Sequence, residues 1–244
     1  MKKTLLAISV ALAATALPTV SMADDGVAFN VGVVTDYRYR GISQSRLKPA
    51  VQGGVDYTAG SFYVGTWAST IKWIKDIPGG DASFEWDIYG GYKGEITKEL
   101  SYDVGVLTYV YPSNKLSPSA NTTEIYGALT YGPVTAKYSH SLTDTFANPD
   151  SKNSFYLDLS ATFDVAGFAV VPHVGYQKFK GPVSSLATYT DYSVTVSKDF
   201  NGIVPSLAIV GTDADKGFYM PGANANSTKF LGKTALVLGL KYNF

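Results

Sequence analysis

Taken two residues at a time, the segment VAFNVGVVTDYRY separates into two faces. Val27, Phe29, Val31, Val33, Thr35, Tyr37 and Tyr39 fall on one, and Ala28, Asn30, Gly32, Val34, Asp36 and Arg38 on the other. SFEWDIYGGYK sets Phe84, Trp86, Ile88, Gly90 and Tyr92 against Glu85, Asp87, Tyr89, Gly91 and Lys93, and SFYLDLSATFD sets Phe155, Leu157, Leu159, Ala161 and Phe163 against Tyr156, Asp158, Ser160, Thr162 and Asp164. A period of two with one apolar and one polar side marks a β-strand. Twelve such segments are expected, at about 27–40, 48–58, 61–70, 83–94, 101–112, 122–131, 134–141, 154–164, 168–178, 189–200, 203–212 and 234–244. Pro49, Pro172 and Pro205 fall inside them, where a proline costs a ladder bond.

The connectors sort by length. RGISQSRLK is long and TAG short, KWIKDIPGGDA long and EITKEL short, and the alternation continues to the last, DADKGFYMPGANANSTKFLGK, which is long. Hairpins of a soluble sandwich have no reason to sort this way. An antiparallel up-and-down β-barrel of the bacterial outer membrane does, with tight periplasmic turns, longer outer loops and an even strand count. Because lipid offers the backbone no hydrogen bonds, a spanning sheet must close on itself, one face to hydrocarbon and one to the lumen. Aromatic residues should gather at the lipid boundary. Tyr57, Phe62, Tyr92, Tyr102, Tyr131, Phe163, Phe168, Phe200, Tyr242 and Phe244 all take the outward parity beside short connectors. The final TALVLGLKYNF follows the same rule, with Tyr242 and Phe244 among its outward residues, so it reads as the strand that closes the barrel.

The front of the chain places this barrel in a compartment. Lys2 and Lys3, an uncharged run from Thr4 to Pro18, and Ser-Met-Ala at 21–23 have the layout of a secretory signal peptide, residues 1–23, ahead of a barrel domain over 24–244. The apolar run is shorter than the roughly 20 residues of a spanning helix. Charged residues make up only 16% of the chain, below the usual ~25%. Without the two leader lysines, 18 bases face 20 acids. That balance argues against nucleic acid as a partner, since a nucleic-acid binder carries a basic face. Cysteine is absent, which is compatible with the cell envelope without identifying it.

Two stretches carry a resemblance. DYRYRGISQS at 36–45, followed by PAVQGGVDY at 49–57, resembles the opening signature of the TorF-type family of outer-membrane porins of Gram-negative bacteria. The terminal LGLKYNF resembles the closing signal that outer-membrane barrels present to their assembly machinery, with Tyr242 and Phe244 at the aromatic places. Ser45 stands where the first motif has threonine. The resemblance implies an outer-membrane pore. Taken with the barrel pattern, the expected partners are outer-membrane lipid and lipopolysaccharide, the barrel-assembly machinery and small hydrophilic solutes.

Catalytic chemistry has few footholds. The histidines are His140 and His173, neither with a ligand at zinc spacing, and no G-x-S-x-G occurs. One enzymatic alternative is a lipid hydrolase using His140 and Ser154 at the outer surface, which requires hydrogen-bond reach between them. The polar face holds the more informative set. It carries Asp36, Asp56, Glu85, Asp87, Asp103, Glu124, Asp158 and Asp191 against Arg38, Arg40, Lys93, Lys137 and Lys241. All but Lys93 are the expected pore-lining residues, with Asp36, Arg38 and Arg40 rising along the first strand toward the outer mouth. A twelve-stranded barrel lies between eight strands, filled by side chains, and sixteen, which leave a water channel. The expectation is therefore a diffusion channel for small hydrophilic solutes or ions, weakly cation-selective, with no cofactor and no metal. The alternative is a closed barrel whose charges pair into a plug and whose loops serve surface contact.

Overall fold

The computed structural model describes residues 25–221 and 228–244. The expected signal peptide, 1–23, lies outside them. Among the described residues the strands are β1 (Gly26–Val34), β2 (Arg38–Tyr39), β3 (Ile42–Ser43), β4 (Ala50–Ala59), β5 (Phe62–Thr70), β6 (Phe84–Glu95), β7 (Leu100–Val110) and β8 (Thr122–Tyr131). They continue with β9 (Val134–Ser141), β10 (Phe155–Ala161), β11 (Phe163–Val165), β12 (Phe168–Lys178), β13 (Tyr189–Ser197), β14 (Ile203–Thr212) and β15 (Ala235–Asn243). Two helical turns, α1 (Trp73–Asp76) and α2 (Ser184–Ala187), lie in loops.

Every wall strand pairs antiparallel with its sequence neighbours, and β1 pairs β15, from Asn30↔Asn243 to Val34↔Gly239, so the sheet has no free edge. Beyond that ladder, Phe29 and Phe244 exchange both backbone hydrogen bonds, at 2.8 and 3.0 Å. The β2–β3 hairpin stands apart from the wall. β10 and β11 are one wall strand in one register: pairing with β12 stops at Ser160↔His173 and resumes at Phe163↔Val170. Pro172 occupies the gap, and it brings no N–H to the ladder. The wall therefore has twelve strands, joined alternately by long loops at one end and tight turns at the other.

Burial follows the pleat. Outward positions are exposed and apolar: Val27, Phe29, Val31 and Val33 on β1, and Leu236, Leu238, Leu240 and Tyr242 on β15. Nine of the ten expected girdle aromatics are exposed, and the tenth, Tyr102, is half-buried and stacked on Tyr92 with ring centroids 6.1 Å apart. A continuous outward belt of Val, Leu and Ile is costly in water and satisfied by hydrocarbon. No described helix is long and apolar enough to cross a membrane, so crossing falls to the strands. The molecule is an integral barrel of the outer-membrane type.

The apolar core sits inside the barrel, toward the long-loop end. It gathers Tyr37, Tyr39, Ile71, Ile74, Leu107, Tyr109, Tyr111 and Val210. This corrects one expectation: β1 ends at Val34 instead of running to 40, and the following residues turn into the lumen. Similarly β13 stops at Ser197, and Phe200 belongs to the next turn through a bridge to Ile203.

Candidate channel and its constriction

The turn into the lumen begins where Thr35 spends its backbone on β15. Its N–H donates to the Leu238 carbonyl at 2.9 Å and its Oγ1 accepts the Leu238 N–H at 3.0 Å. Asp36 then organises the loop. Its carboxylate accepts from Arg38 Nε and Ser43 Oγ, both at 2.5 Å, and from Ser45 Oγ at 3.2 Å. Residues 38–43 fold back as a hairpin, Arg38↔Ser43 and Tyr39↔Ile42. Its two corner residues, Arg40 at φ 45° and Gly41 at φ 79°, both take the positive φ that a tight hairpin turn demands. Glycine is required at the second corner for space as well, since a Cβ there would come within 2.7 Å of the Asp191 Cβ.

This hairpin is bolted to the wall. Tyr37 donates to Glu85 Oε1 at 2.5 Å while Tyr111 donates to Glu85 Oε2 at 2.7 Å. Tyr39 donates to the Tyr109 hydroxyl at 2.8 Å. Arg40, at the tip, meets Glu124 with both guanidinium ends, at 2.7 and 3.1 Å, and donates to Gln177 Oε1 at 2.6 Å. Its Cζ lies 4.2 Å from the Tyr156 ring centre and 4.8 Å from that of Tyr39. Arg38 binds inward instead, donating to the carbonyls of Gly41, Leu231 and Lys233 at 2.8–3.1 Å. Arg46 pairs with Asp76 of α1. Outside the wall, Lys115 sits 2.8 Å from Asp81, tying two long loops and holding the Asp81 carboxyl below the usual range. The long-loop half of the lumen is thus packed with protein.

The other half is lined by polar side chains with water access. Asp56, Asp103, Lys137, Asp158 and Lys241 are partly exposed there, and Lys93 is nearly buried. Tyr89 donates to Asp56 at 2.5 Å, and Tyr63 donates to Asp103 at 2.6 Å and also meets the Tyr126 hydroxyl. Lys137 Nζ lies 3.6 Å from the Tyr126 ring centre. Register joins several of these charges into one row across neighbouring strands. It runs Lys93↔Asp103↔Ala128↔Lys137↔Asp158↔Gly175↔Asp191. Lys93 is near the short-turn end of β6 and Asp191 near the long-loop end of β13, so the row climbs the wall and ends beneath Gly41. Near its top, His173 Nε2 lies 2.7 Å from Asp158 Oδ2, and Tyr156 donates to Asp191 at 2.9 Å.

All twelve expected lumenal charges are buried or half-buried, on the face opposite the exposed apolar belt. Asp36, Arg38 and Arg40 reach the interior on the inward loop, however, and not on a wall strand. The same fold moves Tyr37 and Tyr39, which share parity with the outward residues of β1, into the packed core. Tyr109, Tyr111, Gln177 and Ser43 were not singled out by sequence. The R-G corner within an unusually polar, aromatic stretch was the available signal for a hairpin. Tyr242 and Phe244 are exposed on the outside, their rings stacked at 5.3 Å, and Phe244 also stacks on Phe29 at 5.6 Å. His140 and Ser154 are not brought together. The histidine nitrogens meet Tyr138 and Asn153, at 2.8 and 3.2 Å, while Ser154 is buried and donates to the Ser151 carbonyl.

Residues 21–244 match the family described as "Bacterial protein of unknown function (Gcw_chp)", and the chain belongs to it. Among curated proteins, none matches the sequence. Among solved structures, the NanC porin in a rhombohedral crystal form is similar at a TM-score of 0.55 and 10% identity, covering 89% of this chain and 99% of that one. A membrane-protein structure from a study of in-meso crystallisation is similar at 0.50 and 6% identity, covering 89% and 83%. At such identities the likeness is one of fold.

Proposed function

We propose that this member of the Gcw_chp family is an outer-membrane channel for small hydrophilic solutes or ions, in which the inward loop 35–49 sets the constriction. The observation that carries the reading is a closed membrane barrel whose inner wall bears a climbing row of both charge signs. A lipid-facing sheet needs no such row, whereas fixed charges along a lumen bias what passes. The likeness to a porin fold and the TorF-type signature at 36–45 and 49–57 agree with it. The pore-lining set is Asp36, Arg38, Arg40, Asp56, Glu85, Asp87, Asp103, Glu124, Lys137, Asp158, Asp191 and Lys241, and diffusion through it needs no cofactor. Residues 1–23 direct export, and Tyr242 and Phe244 present the closing strand to the barrel-assembly machinery within a lipid and lipopolysaccharide bilayer.

One observation favours a second reading. The long-loop half of the lumen is packed solid, as it would be in a closed barrel that serves surface contact. Planar-bilayer recording of the purified barrel separates the two. A channel gives discrete conductance steps that grow when Tyr37–Gln44 is replaced by a short glycine-serine link. Silence from both proteins would refute the channel and leave the closed barrel.

A further inference from the structure

Among the described residues, Asp87 is the carboxylate beneath the inward loop with neither oxygen hydrogen-bonded, and it is 1% exposed. Its neighbours on the same face are provided for. Glu85 accepts from Tyr37 and Tyr111, and Glu124 holds Arg40 with both oxygens. The charges that bear on Asp87 are these same two carboxylates, which repel it further. A buried, unpaired carboxylate costs several kcal/mol, so something must neutralise it.

We propose that Asp87 is the anionic centre of a binding site for one small monovalent cation, either an alkali ion or a primary ammonium group. Protonation is the competing account, and it predicts a barrel indifferent to which monovalent cation is present. A cation is met by both oxygens at once. Register places Trp67 on one side of Asp87 and Tyr109 on the other, and aromatic faces hold a desolvated cation. The Tyr109 hydroxyl is engaged with Tyr39 and lies 3.5 Å from Glu124, so it is not the missing donor. The single unpaired charge matches a monovalent cation, and no group of three potential metal ligands gathers among the described residues. The side chain sits one step below Glu85 on β6, between the packed half of the lumen and the solvated half, where a cation arriving from the short-turn end would stop. The proposal depends on the channel reading only for that route of access.

The test needs no conduction. The refolded barrel in detergent is heated, and its unfolding midpoint is read by circular dichroism at constant ionic strength. Tetrapropylammonium chloride is replaced stepwise by potassium chloride or methylammonium chloride. A ligand that binds only the folded barrel raises the midpoint with concentration. The expected result is a saturable rise in wild type with at least one of the two cations, and which one identifies the source. Asp87→Asn should begin with a higher midpoint in tetrapropylammonium and show no rise. Asp158→Asn, which removes the carboxylate beside His173 and leaves Asp87 untouched, should keep the rise. A wild-type midpoint indifferent to both cations would overturn the proposal, and so would a rise that survives in Asp87→Asn.

Discussion

If loop 35–49 is the constriction, its strongest bolt is also the most telling one to remove, and that is Arg40. The residue belongs to the loop, while its partners Glu124 and Gln177 belong to the wall. Both ends of the ion pair are within 3% of full burial. Replacing Arg40 with alanine leaves the Glu124 carboxylate enclosed without its counter-charge. Loss of one member of a buried pair costs about 3–5 kcal/mol. The backbone adds nothing to that figure: the position has φ 45°, and arginine and alanine both carry a Cβ there. The penalty applies only while the loop is seated, because an unseated loop lets water reach Glu124. At 1.4 kcal/mol per factor of ten, the ratio of open to seated loop should rise by roughly two to three and a half orders of magnitude.

The wall itself does not contain Arg40, so barrel yield and heat-modifiable migration on gels should hold. Single-channel recording then reads the effect as a higher open probability and larger steps. Tyr37 and Tyr39 still hold the loop, each hydroxyl contributing about 0.5–1.5 kcal/mol, more where it meets a carboxylate. Full release is therefore not expected. Adding Glu124→Gln to Arg40→Ala removes the stranded charge and should return much of the closed population, since an amide is far cheaper to enclose. The reasoning fails if Arg40→Ala folds normally and gates like wild type. It fails equally if the double variant opens further than the single one.

Two further outcomes are expected. Ser119→Cys, exposed on a long loop, should react with an impermeant thiol reagent on intact cells, and Lys98→Cys, exposed on a tight turn, should react only after lysis; Lys98 serves better than Gly132, whose φ of 55° would strain a cysteine. Equal labelling of the two would contradict the orientation in which long loops face outward. Deleting Phe244 removes two backbone bonds and a ring stack to Phe29 at the seam, so the amount of heat-modifiable barrel in the outer membrane should fall; an undiminished amount would make the terminal aromatic incidental.

Alternation carried the wall because a barrel strand meets two solvents, and a period of two is all that this requires. The limits of β8, β9, β12 and β14 agree with the sequence expectation residue for residue. The same logic misread residues 35–40, and the failure is instructive. Once a chain leaves the wall for the lumen, both of its sides face protein, so parity no longer reports environment. Tyr37 and Tyr39 keep the outward parity of β1 yet are as buried as Asp36 and Arg38. What marks such a segment is chemistry out of place for either lipid or open water. DYRYRG packs one acid, two arginines and two tyrosines into six residues, and Tyr37, Tyr39 and Arg40 among them bond partners on distant strands. Those partners, Glu85, Tyr109, Glu124 and Gln177, are spread over β6, β7, β8 and β12. No local pattern could have named them. Their convergence is a property of closure, which brings strands nearly a hundred residues apart around one small lumen and, among the described residues, leaves both oxygens of Asp87 without a donor.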